Sequence, residues 1–192
     1  MLVGLTGYAG AGKDTAAAGL IADGWKRMSF AEPIRQMLLV LNPLIQEDLL
    51  TTHRLKDLVN TYGWDETKRT FPEVRRLLQV MGTEVGRQMI DEDLWTILAE
   101  KEWSANTKAG FNTVVTDLRF INEANALQVD GGIIVRIHRL GVEPARGHVS
   151  DTSVDLIRPD YEIVNNGSPE DLQAALKNTI YAIDPNSVKL NV

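Results

Sequence analysis

The stretch GLTGYAGAGKDT, residues 4–15, places the strongest constraint on how this chain can fold. Gly7, Gly12 and Lys13 match the phosphate-binding pattern G-x-x-x-x-G-K-[ST]. In this pattern the glycines let backbone N–H groups turn toward a phosphate, and the lysine adds a point charge. The pattern requires a strand before the loop and a helix after it. A short apolar run at residues 2–6 precedes this loop and an alanine-rich run at residues 15–22 follows it, so the local sequence predicts that order.

One position departs from the pattern. Asp14 stands where a hydroxyl usually binds Mg²⁺, and Thr15 follows one place later. A carboxylate is also a good ligand for a hard cation, so Asp14 and Thr15 are the predicted metal ligands. The alternative is that Asp14 only places favourable negative charge in the first helical turn, while Thr15 or water completes the metal shell. The residues predicted to bind the donor nucleotide are Gly7, Ala9, Gly10, Ala11, Gly12, Lys13, Asp14 and Thr15.

Strands and helices alternate along the rest of the chain. Further strands are predicted at residues 26–30, 112–117, 131–138 and 161–164. Further helices are predicted at residues 33–41, with Pro33 at the first position, and at 55–62, 73–89, 92–103 and 122–129, with a last helix capped by Ser168. Residues 42–72 otherwise show only a turn near Gly63. This alternation predicts the α/β fold class, with a mostly parallel sheet covered by helices on both faces.

Composition excludes several classes of protein. A net charge of -6 and a pI near 5.1 argue against a protein that coats nucleic acid, because counterion release needs a broad basic face. The absence of cysteine excludes disulfides and thiolate metal sites. No apolar run reaches the roughly 18 residues of a membrane span. We therefore expect a cytoplasmic protein without nucleic-acid or membrane partners. A homodimer is the expected oligomeric state only because dimers are common among soluble enzymes.

Several segments carry a resemblance to a known family. These are GKDT, FAEPIRQML, VRRLLQVMGTE, DLW, VVTDLRFINEA and NNGSPEDLQAALKNTI. In this order they resemble the deoxynucleoside monophosphate kinases of bacteriophages, across nearly the whole chain and most weakly at residues 42–72. An aspartate after the loop lysine is normal in that family. The resemblance implies one P-loop kinase domain, a three-layer α/β/α sandwich over residues 1–192. It also implies a helical acceptor-binding region at about 33–103, a lid at about 139–155, and ATP and Mg²⁺ as cofactors.

The predicted catalytic residues are Lys13, Asp117, Arg119 and Arg139. Asp117 lies at the carboxyl end of its predicted strand, where it would hold Mg²⁺ through water, contact the acceptor, or merely cap the following turn. Arg119 is placed to reach a phosphate, with a surface ion pair as the alternative. The resemblance places Arg139 just after its strand. Glu123 is a doubtful site residue, because a position on a solvated helix face explains it at least as well.

The residues predicted to bind the acceptor are Arg75, Arg76, Trp95, Asp117 and Arg119. Arg75 and Arg76 are adjacent and cannot share one helix face, so one is expected to bind phosphate while the other is structural. Trp95 would stack on a base or line the acceptor pocket, or it belongs to the core.

The predicted lid contains Arg146 and His148 as further candidates, and the HVSD segment has Asp151 where relatives often have glutamate. The alternative for this segment is an ordinary surface loop.

The predicted reaction moves the γ-phosphoryl group of ATP to the 5′-phosphate of a deoxynucleoside monophosphate. Because that phosphate is already ionised near neutral pH, no general base is needed, and positioning and electrostatics supply the catalysis. Lys13 would act at a surface loop without supporting the core.

Two other functions stay open from the sequence. One is a P-loop kinase with another acceptor, such as dephospho-coenzyme A. The other is a non-catalytic nucleotide-binding module, because a fold alone does not specify a reaction.

Overall fold

The computed structural model describes residues 1–142 and 153–187. The strands are β1 Leu2–Thr6, β2 Lys26–Met28, β3 Leu44–Gln46, β4 Thr52–Arg54, β5 Thr113–Leu118, β6 Ile133–His138 and β7 Tyr161–Val164. The α-helices are α1 Lys13–Ala22, α2 Ala31–Leu41, α3 Leu55–Thr70, α4 Pro72–Gln79, α5 Leu94–Lys108, α6 Ile121–Val129 and α7 Pro169–Ile183. A π-helix spans Val80–Ile90, and a short 3₁₀-helix spans Ser153–Leu156.

The chain divides into two compact units, the first formed by Met1–Phe30 with Thr96–Val192 and the second by Ala31–Trp95. Among the described residues, no helix combines the length and the apolar character that a membrane span needs. Arg146, His148 and Asp151, predicted in the lid, lie outside the described residues.

A parallel sheet of order β2-β5-β1-β6-β7 forms the centre of the first unit's described part. In its central strand β1, all five residues are buried. Val3 pairs with Val114 on one side and with Ile133 on the other. A strand covered on both faces is apolar along its length, which is why this segment reads LVGLT. Since the strands are parallel, their carboxyl ends share one edge of the sheet, and the loop after β1 lies there.

Helices cover both faces of this sheet. On one face, Leu5 of β1 packs in a buried cluster with Leu20 of α1 and Leu176 of α7. On the other face, a Cβ added at Gly4 would lie 2.7 Å from Leu127 Cδ1 of α6, so this glycine lets α6 approach the sheet closely. The three-layer α/β/α sandwich predicted from the sequence is confirmed.

Most predicted elements are found with small changes in their ends. β1 and β7 match, while α2 begins at Ala31, so Pro33 is its third residue instead of its first. The turn predicted near Gly63 is a break inside α3, where φ is 73°. Residues 42–72 also contain the antiparallel hairpin β3-β4, which the sequence did not predict.

The predicted α-helix over residues 73–89 is wrong in its second half. α4 ends at Gln79, and the chain continues as the π-helix. Trp95 explains how this wider turn is held: its indole Nε1 donates a hydrogen bond to the carbonyl of Gly82 at 2.7 Å. A Cβ added at Gly86 would lie 2.2 Å from the Trp95 ring, so glycine makes room for the indole. The π-helix of the second unit is therefore packed around one tryptophan.

Candidate active site

The loop between β1 and α1 has the backbone shape of a phosphate-binding loop. Gly7, Gly10 and Gly12 have backbone φ angles of 136°, 82° and 102°, which residues other than glycine rarely adopt. A Cβ added at Gly7 would lie 2.4 Å from the carbonyl oxygen of Ile137, so glycine lets the end of β1 lie against β6. The helix that follows begins at Lys13. Its first backbone N–H groups and the positive end of its dipole make this loop an anion site.

Lys13 is folded onto this loop. Its side chain donates hydrogen bonds to the carbonyls of Gly7 at 2.6 Å and Tyr8 at 2.9 Å, and the residue is 8% exposed. Lys13 is expected from the sequence to act at a surface loop without supporting the core; its bonds are indeed to the loop, but its side chain is buried there and not exposed. The ammonium group bridges both residues at the start of the loop, so it stabilises the loop's shape as well as supplying positive charge.

Asp14 is exposed in the first turn of α1 and pairs with Arg27 of β2. Arg27 Nη2 donates to Asp14 Oδ1 at 2.8 Å, and Nε lies 3.3 Å from the same oxygen. Sequence reasoning missed Arg27 because nothing in its local sequence relates β2 to the start of α1. This places an arginine beside the residue that departs from the usual pattern.

The donors near the loop suit Mg²⁺ bound together with a nucleotide. Asp14 and Thr15 offer a carboxylate and a hydroxyl, both hard oxygen donors. No group of three or more histidine, aspartate or glutamate side chains placed to hold a metal occurs in residues 1–142 and 153–187. Mg²⁺ commonly takes one or two protein ligands and completes its shell with phosphate oxygens and water. These residues therefore fit a metal that arrives with a polyphosphate.

Asp117 is half-buried in β5 and holds the chain that follows β2. Its Oδ2 accepts a hydrogen bond from Ser29 Oγ at 2.6 Å, and its Oδ1 accepts one from the backbone N–H of Phe30 at 2.9 Å. The carboxylate thus caps a turn, although this turn follows β2 and not its own strand. Neither contact depends on a nucleotide, so Asp117 has a structural function at the edge of the sheet where the loop lies.

Glu123 fixes the segment that carries Arg119. The glutamate is 2% exposed, and its Oε2 accepts the backbone N–H groups of Arg119 at 2.8 Å and Phe120 at 3.1 Å. The interpretation of Glu123 as part of a solvated helix face is therefore wrong. A buried carboxylate bound to two amides gives the residues between β5 and α6 one defined backbone path.

Arg139, the first residue after β6, lies against the loop. Its Nη1 donates to the carbonyl of Gly10 at 3.4 Å. Beside it, a narrow cleft is lined by loop residues and by described residues that precede position 143 and follow position 152. Across this cleft the Tyr8 hydroxyl donates to Asp155 at 2.5 Å. The structure thus brings Lys13 and Arg139 to the same loop.

In the second unit, Arg75 and Arg76 differ in their surroundings. Arg76 forms a two-pronged ion pair with Glu73, with Nη2–Oε1 and Nε–Oε2 distances of 2.7 Å. This hydrogen bonding keeps the pKa of the Glu73 carboxyl below its ordinary value. Arg75 is exposed and forms no hydrogen bond or ion pair with any described residue. Within the described parts of the chain, Arg76 thus has an ion-pair partner and Arg75 has none.

Trp95 does not offer a surface for a nucleotide base. The residue is 3% exposed, and its indole is enclosed by the π-helix, with its N–H bonded to Gly82. The core alternative for Trp95 agrees with this packing, and stacking on a base does not.

Comparisons with known proteins agree with the geometry of the loop. Residues 46–176 match the family model described as deoxynucleotide monophosphate kinase. The chain is 27% identical to a putative deoxynucleotide monophosphate kinase of Acanthamoeba polyphaga mimivirus, covering 92% of this chain and 94% of the relative. It is also 27% identical to the deoxynucleoside-5′-monophosphate kinase of Escherichia phage T5, covering 86% of this chain and 89% of that protein.

Among solved structures, a sugar kinase from Janibacter sp. HTCC2649 matches over 98% of both chains, with a TM-score of 0.50 and 16% identity. At that identity the likeness shows the fold alone. The family model covers more than half of the sequence, and the loop, its lysine and the sandwich agree with it, so this chain belongs to the deoxynucleotide monophosphate kinase family.

Proposed function

We propose that this chain transfers the γ-phosphoryl group of ATP to the 5′-phosphate of a deoxynucleoside monophosphate, releasing ADP and a deoxynucleoside diphosphate. The observation that carries this proposal is the glycine loop with Lys13, seated between β1 and α1 in a member of the deoxynucleotide monophosphate kinase family. The reaction is the one named for the family and for its relatives in phage T5 and mimivirus.

The first unit binds the donor. Backbone N–H groups of the loop and of the first turn of α1 hold the phosphate oxygens. Lys13 exchanges its bonds to the carbonyls of Gly7 and Tyr8 for contacts with phosphate, where its charge opposes the charge of the transferring group. Asp14 and Thr15 hold Mg²⁺, which supplies further neutralisation of the phosphates when it is bound.

Arginines stabilise the transferring group and the acceptor. Arg139 already contacts the loop by its hydrogen bond to the Gly10 carbonyl. The backbone of Arg119 is held by its hydrogen bond to the Glu123 carboxylate. In the second unit Arg75 binds the acceptor phosphate, while Arg76 remains paired with Glu73. A guanidinium binds phosphate through two parallel N–H groups, which fixes orientation as well as charge.

No side chain needs to act as a general base. The attacking oxygen belongs to a phosphate that is already ionised near pH 7, so the chain positions two polyanions and neutralises their repulsion. Residues 139–155 act as a lid that excludes water, which would otherwise accept the phosphoryl group and waste ATP. The product supplies precursors for DNA synthesis, and the relatives in phages and a giant virus support a role in the cytoplasm of an infected host.

The experiment that tests this function measures ADP release with Mg-ATP and separate acceptors. The acceptors are dGMP, dTMP, dCMP, dAMP, their ribose counterparts and dephospho-coenzyme A. We expect acceptor-dependent ADP release with at least one deoxynucleotide. Release with dephospho-coenzyme A alone would reassign the acceptor. ATP binding without release with any acceptor would favour a non-catalytic nucleotide-binding module.

A further inference from the structure

Asn165 connects the end of the sheet to the phosphate-binding loop. It is the first residue after β7, which ends at Val164. Its backbone N–H donates to the carbonyl of His138, the last residue of β6, at 2.6 Å. Its side-chain Nδ2 donates to the carbonyl of Ala11 at 2.9 Å. The backbone of Asn165 is thus tied to the neighbouring strand, and its amide is tied to the loop.

The amide also lies tightly against the last glycine of the loop. A Cβ added at Gly12 would be 2.6 Å from Asn165 Nδ2 and 3.0 Å from Leu172 Cδ2. The amide therefore occupies the space that a side chain at position 12 would need. Asn165 and Gly12 therefore fit each other as a pair, although 152 positions separate them in the sequence.

The bond to Ala11 determines the direction of a neighbouring N–H group. The carbonyl of Ala11 and the N–H of Gly12 belong to one planar trans peptide unit, so they point in opposite directions. When the amide of Asn165 holds the carbonyl on its own side, the N–H of Gly12 is turned to the other side. Backbone N–H groups of a glycine loop are the groups that bind phosphate. Asn165 thereby sets the orientation of one such donor without touching a phosphate.

The segment that carries Asn165 is itself held in place. Three residues on, Ser168 caps α7: its Oγ accepts the N–H of Asp171 at 3.1 Å, and its own N–H donates to Asp171 Oδ2 at 2.9 Å. Hydrogen bonding from the Ser168 backbone N–H, and then from its side chain, keeps the pKa of the Asp171 carboxyl below its ordinary value. The loop from β7 to α7 is thus held at its start by the bond from Asn165 to His138 and at its end by the Ser168 cap. A donor held by a rigid segment orients its partner at less entropic cost than a mobile one.

We propose that Asn165 is a positioning residue for the donor nucleotide, holding the Ala11–Gly12 peptide so that the Gly12 N–H faces the ATP phosphates. This inference rests on the proposed function only for the identity of ATP as the donor. It requires an N–H donor at position 165. An aspartate has the same shape, but it would place an oxygen against the Ala11 carbonyl and leave the peptide free to turn.

The test compares Asn165→Asp and Asn165→Ala with Asn166→Ala. Asn166 is the adjacent asparagine, it is exposed, and it forms no hydrogen bond with any described residue. ATP binding is measured by calorimetry without acceptor, and KM for ATP and for the acceptor are measured separately. Losing one orienting hydrogen bond is expected to weaken ATP binding about tenfold. KM for the acceptor should be unchanged in both Asn165 variants, and Asn166→Ala should bind ATP like the parent protein.

Several outcomes would overturn the inference. Unchanged ATP affinity in Asn165→Ala would do so, as would an equal rise in KM for ATP and acceptor, which indicates a general structural defect. If Asn165→Asp does not fold, Asn165→Ala still decides, since it adds no charge. The proposed function is tested separately by the acceptor panel. If ATP binding depends on Asn165 but no deoxynucleotide is phosphorylated, the proposed function is refuted and this inference stands.

Discussion

Replacing Lys13 with methionine separates the two contributions that the structure gives this residue. Methionine keeps an unbranched apolar side chain of similar length at a site that is 8% exposed. It removes the ammonium group that donates to the carbonyls of Gly7 and Tyr8. Lys13→Met should therefore affect the stability of the free protein as well as catalysis, which a lysine exposed on a surface loop would not do.

The magnitude follows from those contacts. A hydrogen bond to a charged group contributes about 1.5–3 kcal/mol, and the bond to Gly7 is buried while the bond to Tyr8 is part-buried. Water can replace the donor at the part-buried carbonyl, and methionine loses about as much side-chain entropy on burial as lysine, so that contribution cancels. The net loss is then about 1.5–3 kcal/mol from the buried bond, which lowers Tm by about 3–12 °C for a chain of this size. Removing a preorganised charge from the transferring phosphate should lower kcat about 10²–10³-fold.

The assay pairs thermal unfolding with steady-state turnover on the best deoxynucleotide. Lys177→Met is the matched control, because Lys177 is also a largely buried lysine of the first unit and pairs with Asp23 at 2.9 Å. That variant should lose stability and keep kcat. If Lys13→Met keeps kcat within tenfold of the parent protein, the loop is not the donor site. An unchanged Tm would show that the carbonyl contacts contribute nothing to stability.

Further predictions concern the second unit and the metal. Arg75→Ala should raise KM for the acceptor about tenfold or more. Arg76→Ala should leave that KM close to the parent value, because Arg76 is paired with Glu73. A larger rise in Arg76→Ala would assign the acceptor phosphate to Arg76 instead. Gly86→Ala should destabilise the protein by about 1–3 kcal/mol in urea unfolding, since its Cβ meets the indole ring of the second unit. Gly82→Ala should cost less, because its Cβ would meet only the far end of an isoleucine side chain at 3.1 Å, and equal losses would contradict the packing argument. Chelating divalent cations should stop ADP release without lowering Tm in the absence of nucleotide, because a metal that arrives with ATP stabilises no part of the free chain.

The features that local sequence determines are those whose causes lie within a few residues. The glycine spacing before Lys13, with an apolar run ahead and alanines behind, predicted the strand, loop and helix that the structure contains. Ser168 with Pro169 predicted the start of α7, and the capping bonds confirm it. Alternating elements predicted the three-layer sandwich, since each amphipathic element must bury its apolar face against another. Several short segments in register were enough to indicate the family.

Tertiary structure decided which polar side chains face one another. The hydrogen bonds of Glu123 to the amides of Arg119 and Phe120 are local, but its burial depends on the packing around α6, which its neighbours in the sequence do not reveal. The indole of Trp95 packs against Gly86, and Arg27 of β2 pairs with Asp14 of α1. These contacts depend on which strands lie side by side and how closely helices approach. Helical periodicity and turn propensity report only on near neighbours in the chain, whereas packing in three dimensions places distant polar groups around the phosphate-binding loop.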